Sequence, residues 1–292
     1  ALCSPPNIMT GAAVSEEPFV CAVDDEQLLG ILHRAPESTR PAVVIVVGGP
    51  QYRVGSHRQF VLLARALAER GYSVVRFDYR GMGDSSGEQR DFQAVDADIH
   101  AVVRFTAQAL PRANGCVLLG LCDAAAAILM YALHDAHLRG LVVLNPWVRS
   151  AQLEARARVK HYYGQRFLQA SFWRKLLSGE LAVVSAVREA FATWWAARRD
   201  NGSVSAAPAD FRTRMLGGLE RYTAPMLLLL SGQDLTAREF EDWCENTPAW
   251  RTAFARAGVE RVDMPGADHT FSMRADLDQV NAVIAAWLDR LD

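Results

Sequence analysis

The residues of this chain that could form a reactive centre are a cysteine, an aspartate and a histidine, each near the end of an apolar segment. Cys122 follows the apolar run 116–119 and Gly120, and an alanine-rich segment begins at Ala124. A strand that turns sharply at a reactive side chain and continues at once as a helix is typical of a nucleophile elbow. The helix would direct free N–H groups and its dipole at the sulfur, which favours thiolate over thiol. This context predicts that Cys122 is a nucleophile, with a buried cysteine that only packs as the alternative.

Asp234 and His269 follow Cys122 in the order nucleophile, acid, histidine, and each lies after a predicted strand. The imidazole would accept the thiol proton and later activate water, and the carboxylate would fix its tautomer and stabilise its charged form. Each residue also has a simpler interpretation, since Asp234 is typical of a turn before a helix and the chain has seven histidines. Three such residues at three successive expected positions favour a Cys-His-Asp triad.

Short continuous apolar runs alternate along most of the chain with longer segments whose apolar residues have helical spacing. This pattern predicts strands alternating with helices. The predicted strands are residues 19–23, 28–33, 41–47, 73–78, 116–119, 141–144, 225–230 and 259–264. The predicted helices are residues 58–70, 92–110, 122–134, a helix started by a capping box from Thr236 to Glu239, and 276–291. This alternation favours an α/β fold with a mostly parallel central sheet of about eight strands flanked by helices.

The alternation is interrupted between residues 148 and 222, a segment of helical character that is rich in arginine and aromatic residues. We predict that 148–222 is a helical cap inserted over the carboxyl ends of the strands, where α/β sheets bind ligands. An ordinary helical excursion packed on one side of the sheet is the alternative. The expected organisation is therefore a flexible N-terminal extension over 1–17, a core formed by 18–147 and 223–292, and the cap.

A reaction at a carbonyl needs two N–H groups positioned to bind the oxyanion. One is predicted to be the amide of Asp123, at the start of the helix after the nucleophile. The other is expected in the loop after the strand 41–47, where Pro50 has no N–H to donate. Gly49 and Gln51 both remain candidates, and Gln51 is slightly favoured.

Three basic residues, Arg53, His57 and Arg58, follow this loop. They are predicted to contact an anionic or sugar-like substrate, and a polar helix start without a binding role is the alternative.

Composition and motifs exclude several other functions. The chain has 31 Lys and Arg against 33 Asp and Glu, with no basic stripe of the kind that binds nucleic acid. Its apolar runs are too short to span a bilayer. Neither a dinucleotide fingerprint nor a Walker sequence is present, and no histidine or acidic set has the usual metal-ligand spacing, so no cofactor and no metal are expected. The five cysteines are scattered without a CxxC pair, which favours reduced thiols and a cytoplasmic location.

Six sequence blocks carry a resemblance to a known family: residues 48–60, 77–84, 120–124, 144–149, 172–179 and 266–271. With these blocks the chain resembles the α/β-hydrolase superfamily and, within it, the exosortase A system-associated hydrolases of type 1. The resemblance implies the α/β-hydrolase fold, a cysteine nucleophile, no cofactor, and a link to bacterial exopolysaccharide systems. A cysteine at the elbow is also similar to that of dienelactone hydrolases.

A second motif, Gly83-Asp84-Ser85-Ser86-Gly87, matches G-x-S-x-G by letter. Its serine lies several residues after the strand, and no helix begins there. The α/β hydrolases commonly carry a structural D-x-R-G-x-G-x-S turn at this place, which the segment 78–85 matches. We therefore predict that Ser85 is structural and not a nucleophile.

Together these features predict a hydrolase that cleaves the ester or thioester of a small acyl substrate through a thioacyl-enzyme at Cys122. Acyl transfer to an alcohol or amine by the same triad is one alternative. A non-catalytic binding protein on the same fold is an alternative of another class. The sequence does not specify the acyl group or the oligomeric state.

Overall fold

The computed structural model describes residues 15–49, 51–132, 135, 137–149 and 210–291. Within them the strands are β1 (Ser15–Val23), β2 (Glu26–Arg34), β3 (Ala42–Val46), β4 (Val74–Phe77), β5 (Cys116–Leu121), β6 (Leu138–Leu144), β7 (Met226–Ser231) and β8 (Val259–Met264). The helices are α1 (Gln59–Glu69), α2 (Asp96–Ala109), α3 (Asp123–Tyr131), α4 (Phe211–Arg221), α5 (Leu235–Asn246), α6 (Pro248–Phe254) and α7 (Arg274–Leu288). Short 3-10 turns at Ser56–Arg58 and Phe92–Ala94 precede α1 and α2.

The eight strands form one sheet in the order β1-β2-β4-β3-β5-β6-β7-β8. The pairs β1–β2 and β2–β4 are antiparallel, and every other neighbouring pair is parallel. Because β3 to β8 run in one direction, their carboxyl ends meet at the same edge of the sheet. This is the predicted α/β-hydrolase architecture, and the prediction of a mostly parallel sheet of about eight strands is confirmed.

Both faces of the central strands are buried, because helices cover the sheet on each side. Along β3, Val43 and Ile45 pack with α1 and α7, whereas Val44 and Val46 pack on the opposite face with α2 and α3. A strand that is buried on both faces needs a continuous apolar run, and residues 41–47 form such a run in the sequence.

The observed elements differ from the predicted ones in three places, and the first two differences have local causes. Strand β1 begins at Ser15, so it includes three residues that were assigned to the N-terminal extension, because Ser15–Glu17 pair with the end of β2. The predicted capping box from Thr236 to Glu239 is wrong: α5 begins at Leu235, and the Asp234 carboxylate accepts the first free N–H groups instead. Helix α6 was not predicted.

Most of the predicted cap, residues 150–209, lies outside the described residues, and the cap stays a prediction. Helix α4, at the end of the predicted cap, packs against α3. A Cβ at Gly218 of α4 would overlap the Leu129 carbonyl oxygen of α3, so the absence of a side chain there permits this close contact. No described helix is long and apolar enough to cross a membrane.

Candidate active site

Cys122 lies in the turn between β5 and α3, at the carboxyl edge of the sheet. Its backbone has φ 64° and ψ −123°, a conformation that non-glycine residues rarely adopt and that is characteristic of strained functional turns. The Cys122 amide donates to the Leu144 carbonyl (3.0 Å), and the Trp147 amide donates to the Cys122 carbonyl (3.1 Å). A Cβ at Gly120 would lie 2.7 Å from the Ala124 carbonyl group, so the turn requires glycine there. The predicted strand–turn–helix context of Cys122 is confirmed.

His269 and Asp234 lie beside Cys122, after β8 and β7. The Asp234 Oδ2 atom is 2.7 Å from His269 Nδ1. Both oxygens of Asp234 also accept hydrogen bonds from the start of α5, from the amides of Thr236 (3.0 Å) and Ala237 (3.2 Å). The Asp234 carboxylate is therefore oriented by backbone groups as well as by the imidazole.

The electrostatics of this pair favour a charged imidazole. The pKa of His269 is raised to about 10, first by its hydrogen bond with Asp234 and then by its hydrogen bond with the Cys122 side chain. Burial opposes ionisation of Asp234, but its hydrogen bonds to His269 and to the α5 amides lower its pKa overall. Because Nδ1 faces Asp234, Nε2 is the ring nitrogen available to Cys122. The structure thus brings the three predicted triad residues together as sulfur, imidazolium and carboxylate.

The loop after β3 lies against Asp123, the residue that follows Cys122. The Gly49 amide donates to Asp123 Oδ2 (2.8 Å), so Gly49 is engaged by a side chain and is the weaker candidate for the second oxyanion donor. No described residue accepts a hydrogen bond from the Gln51 amide. A Cβ at Gly48 would overlap Asp123 Oδ1, which explains why the loop needs glycine at that position. Burial raises the pKa of Asp123, while the amides of Gly49 and Ala124 oppose that rise.

Arg53 anchors the same loop to the end of β4. Its guanidinium pairs with Asp78 and with Asp84 (2.7 Å), and its amide donates to Asp78 Oδ1 (2.6 Å). The buried Arg76 side chain donates to the Arg53 carbonyl (2.8 Å). Arg53 therefore has a structural role that the sequence did not predict, and its contact with substrate stays a prediction.

His57 and Arg58 have exposed side chains immediately before α1. Both have left-handed backbones, with φ 52° and 60°, which costs about 1–2 kcal/mol for each non-glycine residue. Strained backbone is common in loops that contact ligands. Among the described residues, no hydrogen bond or ion pair joins either side chain to Cys122, Asp234 or His269, and their binding role stays a prediction.

Ser85 is part of the turn after β4, and its exclusion as a nucleophile stays a prediction. Its hydroxyl donates to the Asp78 carbonyl (2.8 Å) and accepts from the Leu29 amide (2.9 Å), so it ties this turn to β2. A Cβ at Gly83 would overlap the Asp78 carboxylate. The structural role predicted for Ser85 is confirmed.

Sequence reasoning missed Asn145, which lies directly after β6 and is fully buried. Its side chain makes hydrogen bonds to Ser231 and to the His269 carbonyl. The only local signal was an asparagine before Pro146 at a strand end, which is equally typical of a plain turn. Among the described residues no group of three or more His, Cys, Asp or Glu side chains could hold a metal ion.

Comparisons with known proteins give one family and a consistent set of solved structures. The family described as "Alpha/beta hydrolase family" matches residues 43–283. An esterase of Pyrococcus furiosus, Pf2001, is 16% identical with a TM-score of 0.65, over 95% of this chain and 93% of that one. Est1E of Butyrivibrio proteoclasticus, solved with ferulic acid, is 16% identical with a TM-score of 0.61, over 94% and 98%. An alpha-beta serine hydrolase homologue of Coxiella burnetii is 17% identical with a TM-score of 0.55, over 93% and 97%.

One curated protein matches over a short segment. The lysophosphatidylserine lipase ABHD12 of Danio rerio is 45% identical over 51 residues, which is 18% of this chain and 13% of that protein. At these identities and coverages the solved structures establish the fold, and the lipase match concerns one segment.

Proposed function

We propose that this chain, which belongs to the Alpha/beta hydrolase family, hydrolyses an ester or thioester of a small acyl substrate through a cysteine nucleophile. The observation that carries the proposal is the contact between Cys122, at a strained turn, and an imidazole whose other nitrogen faces a buried carboxylate. A binding protein would have no chemical need for these three groups in this order. The esterases among the structural neighbours support ester cleavage as the reaction class.

The reaction would begin with the thiolate–imidazolium pair. The sulfur attacks the carbonyl carbon, a C–S bond forms, and the carbonyl electron pair moves to an oxygen held by the amides of Gln51 and Asp123. Collapse of this intermediate breaks the bond to the leaving group, which takes the proton of His269. Water then gives a proton to the neutral His269 and attacks the thioester, and the departing thiolate restores the starting pair.

A cysteine nucleophile distinguishes the proposal from the chemistry named for the Coxiella homologue, which is a serine hydrolase homologue. Burial raises the pKa of Cys21 to about 11 and that of Cys116 and Cys244 to about 12, which leaves Cys122 as the reactive thiol among the described cysteines. All four are free, which supports reduced thiols and a cytoplasmic location as part of the proposal.

Acyl transfer is the second candidate function, because a thioester intermediate can be attacked by an alcohol or amine as well as by water. A link to exopolysaccharide and exosortase systems is also proposed, and the six sequence blocks that carry the family resemblance support it. An anionic or sugar-like substrate that contacts Arg53, His57 or Arg58 would be consistent with that setting.

The proposal is tested by intact-protein mass spectrometry after exposure to activated acyl esters. Wild type and Cys244→Ala should each gain one acyl mass, while Cys122→Ala should gain none. An adduct of the same size and rate on Cys122→Ala would contradict the mechanism. Adding an acceptor alcohol separates the two functions, since a transferase would divert product from free acid to a new ester.

A further inference from the structure

Asn145 bridges the two loops that carry the acid and the histidine. Its Nδ2 atom donates to Ser231 Oγ (3.0 Å) and to the His269 carbonyl oxygen (3.2 Å), and its Oδ1 atom accepts from the Ser231 amide (2.8 Å). The Asn145 amide donates to the Leu229 carbonyl (3.1 Å). One fully buried side chain therefore connects the end of β6 to the end of β7 and to the backbone of the catalytic histidine.

The residue type fits this position for two separate reasons. The backbone of Asn145 has φ 44°, a left-handed conformation that asparagine tolerates better than most residues with a side chain. A carboxamide also supplies two donor hydrogens and an acceptor on the same group, and all three are used here. An aspartate of the same shape would have no donor for the His269 carbonyl.

The hydrogen bond from Asn145 reaches the backbone of His269, the residue whose ring must face both Asp234 and Cys122. Apart from the Asp234–His269 pair, the two loops are joined by the Gln233 amide to the Ala267 carbonyl (3.0 Å), the Gly232 amide to the Met264 carbonyl (2.8 Å) and Gln233 Nε2 to the Pro265 carbonyl (3.2 Å). Those contacts hold the loops together two or more residues away from His269. Among the described side chains, that of Asn145 donates a hydrogen bond directly to the backbone carbonyl of His269.

We infer that Asn145 is a positioning residue that sets the orientation of the His269 imidazole through its carbonyl group, an inference that rests on the function proposed above. The side chain touches neither substrate nor the reacting atoms, so it acts through His269. Its loss would misalign the ring relative to the sulfur while the sheet and the two loops keep their remaining hydrogen bonds. The expected signature is a loss in the chemical step and not in substrate binding.

The decisive variant is Asn145→Gly, because glycine keeps the left-handed backbone and removes only the side chain. Glu37→Gly is a matched control, because Glu37 is exposed and also has a left-handed backbone, with φ 61°. A new glycine there adds the same conformational entropy to the unfolded chain as one at position 145. With an activated ester, we expect Asn145→Gly to lose about 10- to 100-fold in kcat with KM within about 3-fold of wild type. Glu37→Gly should keep both values.

A second measurement reads the alignment of the ring without any substrate. The rate of Cys122 alkylation by iodoacetamide, followed from pH 5 to 10, depends on the thiolate that His269 stabilises. Asn145→Gly should be alkylated more slowly than wild type, which is a shift towards the rate of the variant without the imidazole. His269→Ala gives the limit of that shift. If wild type itself formed no acyl adduct, the proposed function would fail, whereas the alkylation shift would still report on Asn145.

Asn145→Asp is the second variant, with nearly the same volume and no donor for the His269 carbonyl. It should lose at least as much kcat as Asn145→Gly. The inference is overturned if either folded variant keeps the wild-type kcat and alkylation profile, or if the loss is confined to KM. Failure of both variants to fold would assign Asn145 to the stability of the sheet edge and would overturn the inference equally.

Discussion

Replacing Asp234 by asparagine separates two roles that its carboxylate has in the structure. The side chain faces His269 at 2.7 Å, and it also accepts two amides at the start of α5, at 3.0 and 3.2 Å. Asparagine caps a helix about as well as aspartate does, whereas alanine does not. Asp234→Asn therefore removes the charge that the imidazolium needs and keeps the cap, and Asp234→Ala removes both.

The magnitudes follow from these contacts. The loss of the cap should cost about 1 kcal/mol, so Asp234→Ala should be less stable than Asp234→Asn by about that amount in urea unfolding at pH 7. Both variants should lose up to about 10⁴-fold in kcat, the loss seen when the acid of a comparable triad is neutralised. Activity should thus fall in both variants, while stability should distinguish them.

The assay is steady-state hydrolysis of an activated ester, with Asp268→Asn as the matched control. Asp268 directly precedes His269, but its carboxylate accepts from Thr270 (3.1 Å) and from the Ser272 amide (2.9 Å). Its neutralisation should change kcat by less than about 10-fold, because its carboxylate bonds to these loop groups and not to the ring. The reasoning would be refuted if Asp234→Asn kept kcat within about 3-fold of wild type, or if Asp268→Asn lost more than Asp234→Asn.

The remaining predictions concern His269, Asp123 and Ser85. The pKa of His269 is raised to about 10, so its contribution to stability is complete below about pH 6.5 and is lost as the pH rises through 10. The difference in unfolding free energy between wild type and His269→Asn should therefore be largest near pH 6 and shrink towards pH 10; a constant difference would contradict it. Burial raises the pKa of Asp123, so the charged carboxylate destabilises the fold at neutral pH. Asp123→Asn removes that charge and keeps an oxygen that accepts from the Gly49 amide. The substitution should therefore raise the melting temperature at pH 7 more than at pH 4. An Asp123→Asn variant that melts lower at pH 7 would argue against this sign. Ser85→Ala removes two hydrogen bonds and should cost about 1–3 kcal/mol in urea unfolding with kcat within about 3-fold of wild type; a loss above 100-fold would return Ser85 to the list of nucleophiles.

The parts of this molecule that the sequence predicts are those with a local signal. Cys122 was predicted because an apolar run, Gly120 and an alanine-rich helix are consecutive, and the same local logic gave β3 and the final strand 259–264. The start of α5 was misplaced for a local reason as well. Thr236 and Glu239 match a capping box, but Asp234 lies two residues earlier and its carboxylate reaches both free amides.

The contacts that sequence reasoning missed join residues far apart in the chain. Gly49 and Asp123 are separated by 74 residues, and Asn145 and His269 by 124. A single sequence carries no signal for such pairs, because each residue alone is typical of an ordinary turn. The ion pair of Arg53 with Asp78 was missed for the same reason, because it forms only when the loop after β3 folds back towards the end of β4. Without that pair, the sequence predicted only a substrate contact for Arg53.

The backbone of Cys122 is fixed by groups that do not contact its side chain. The Cys122 amide and carbonyl are held by Leu144 and Trp147, at the exit of the neighbouring strand, and the turn is kept open by Gly120. A serine at position 122 would place its hydroxyl in the same position without any rearrangement of the chain. A cysteine enzyme and a serine enzyme on this fold therefore differ by one atom at this position. Evolution could exchange one for the other while every residue that supports the turn stayed unchanged.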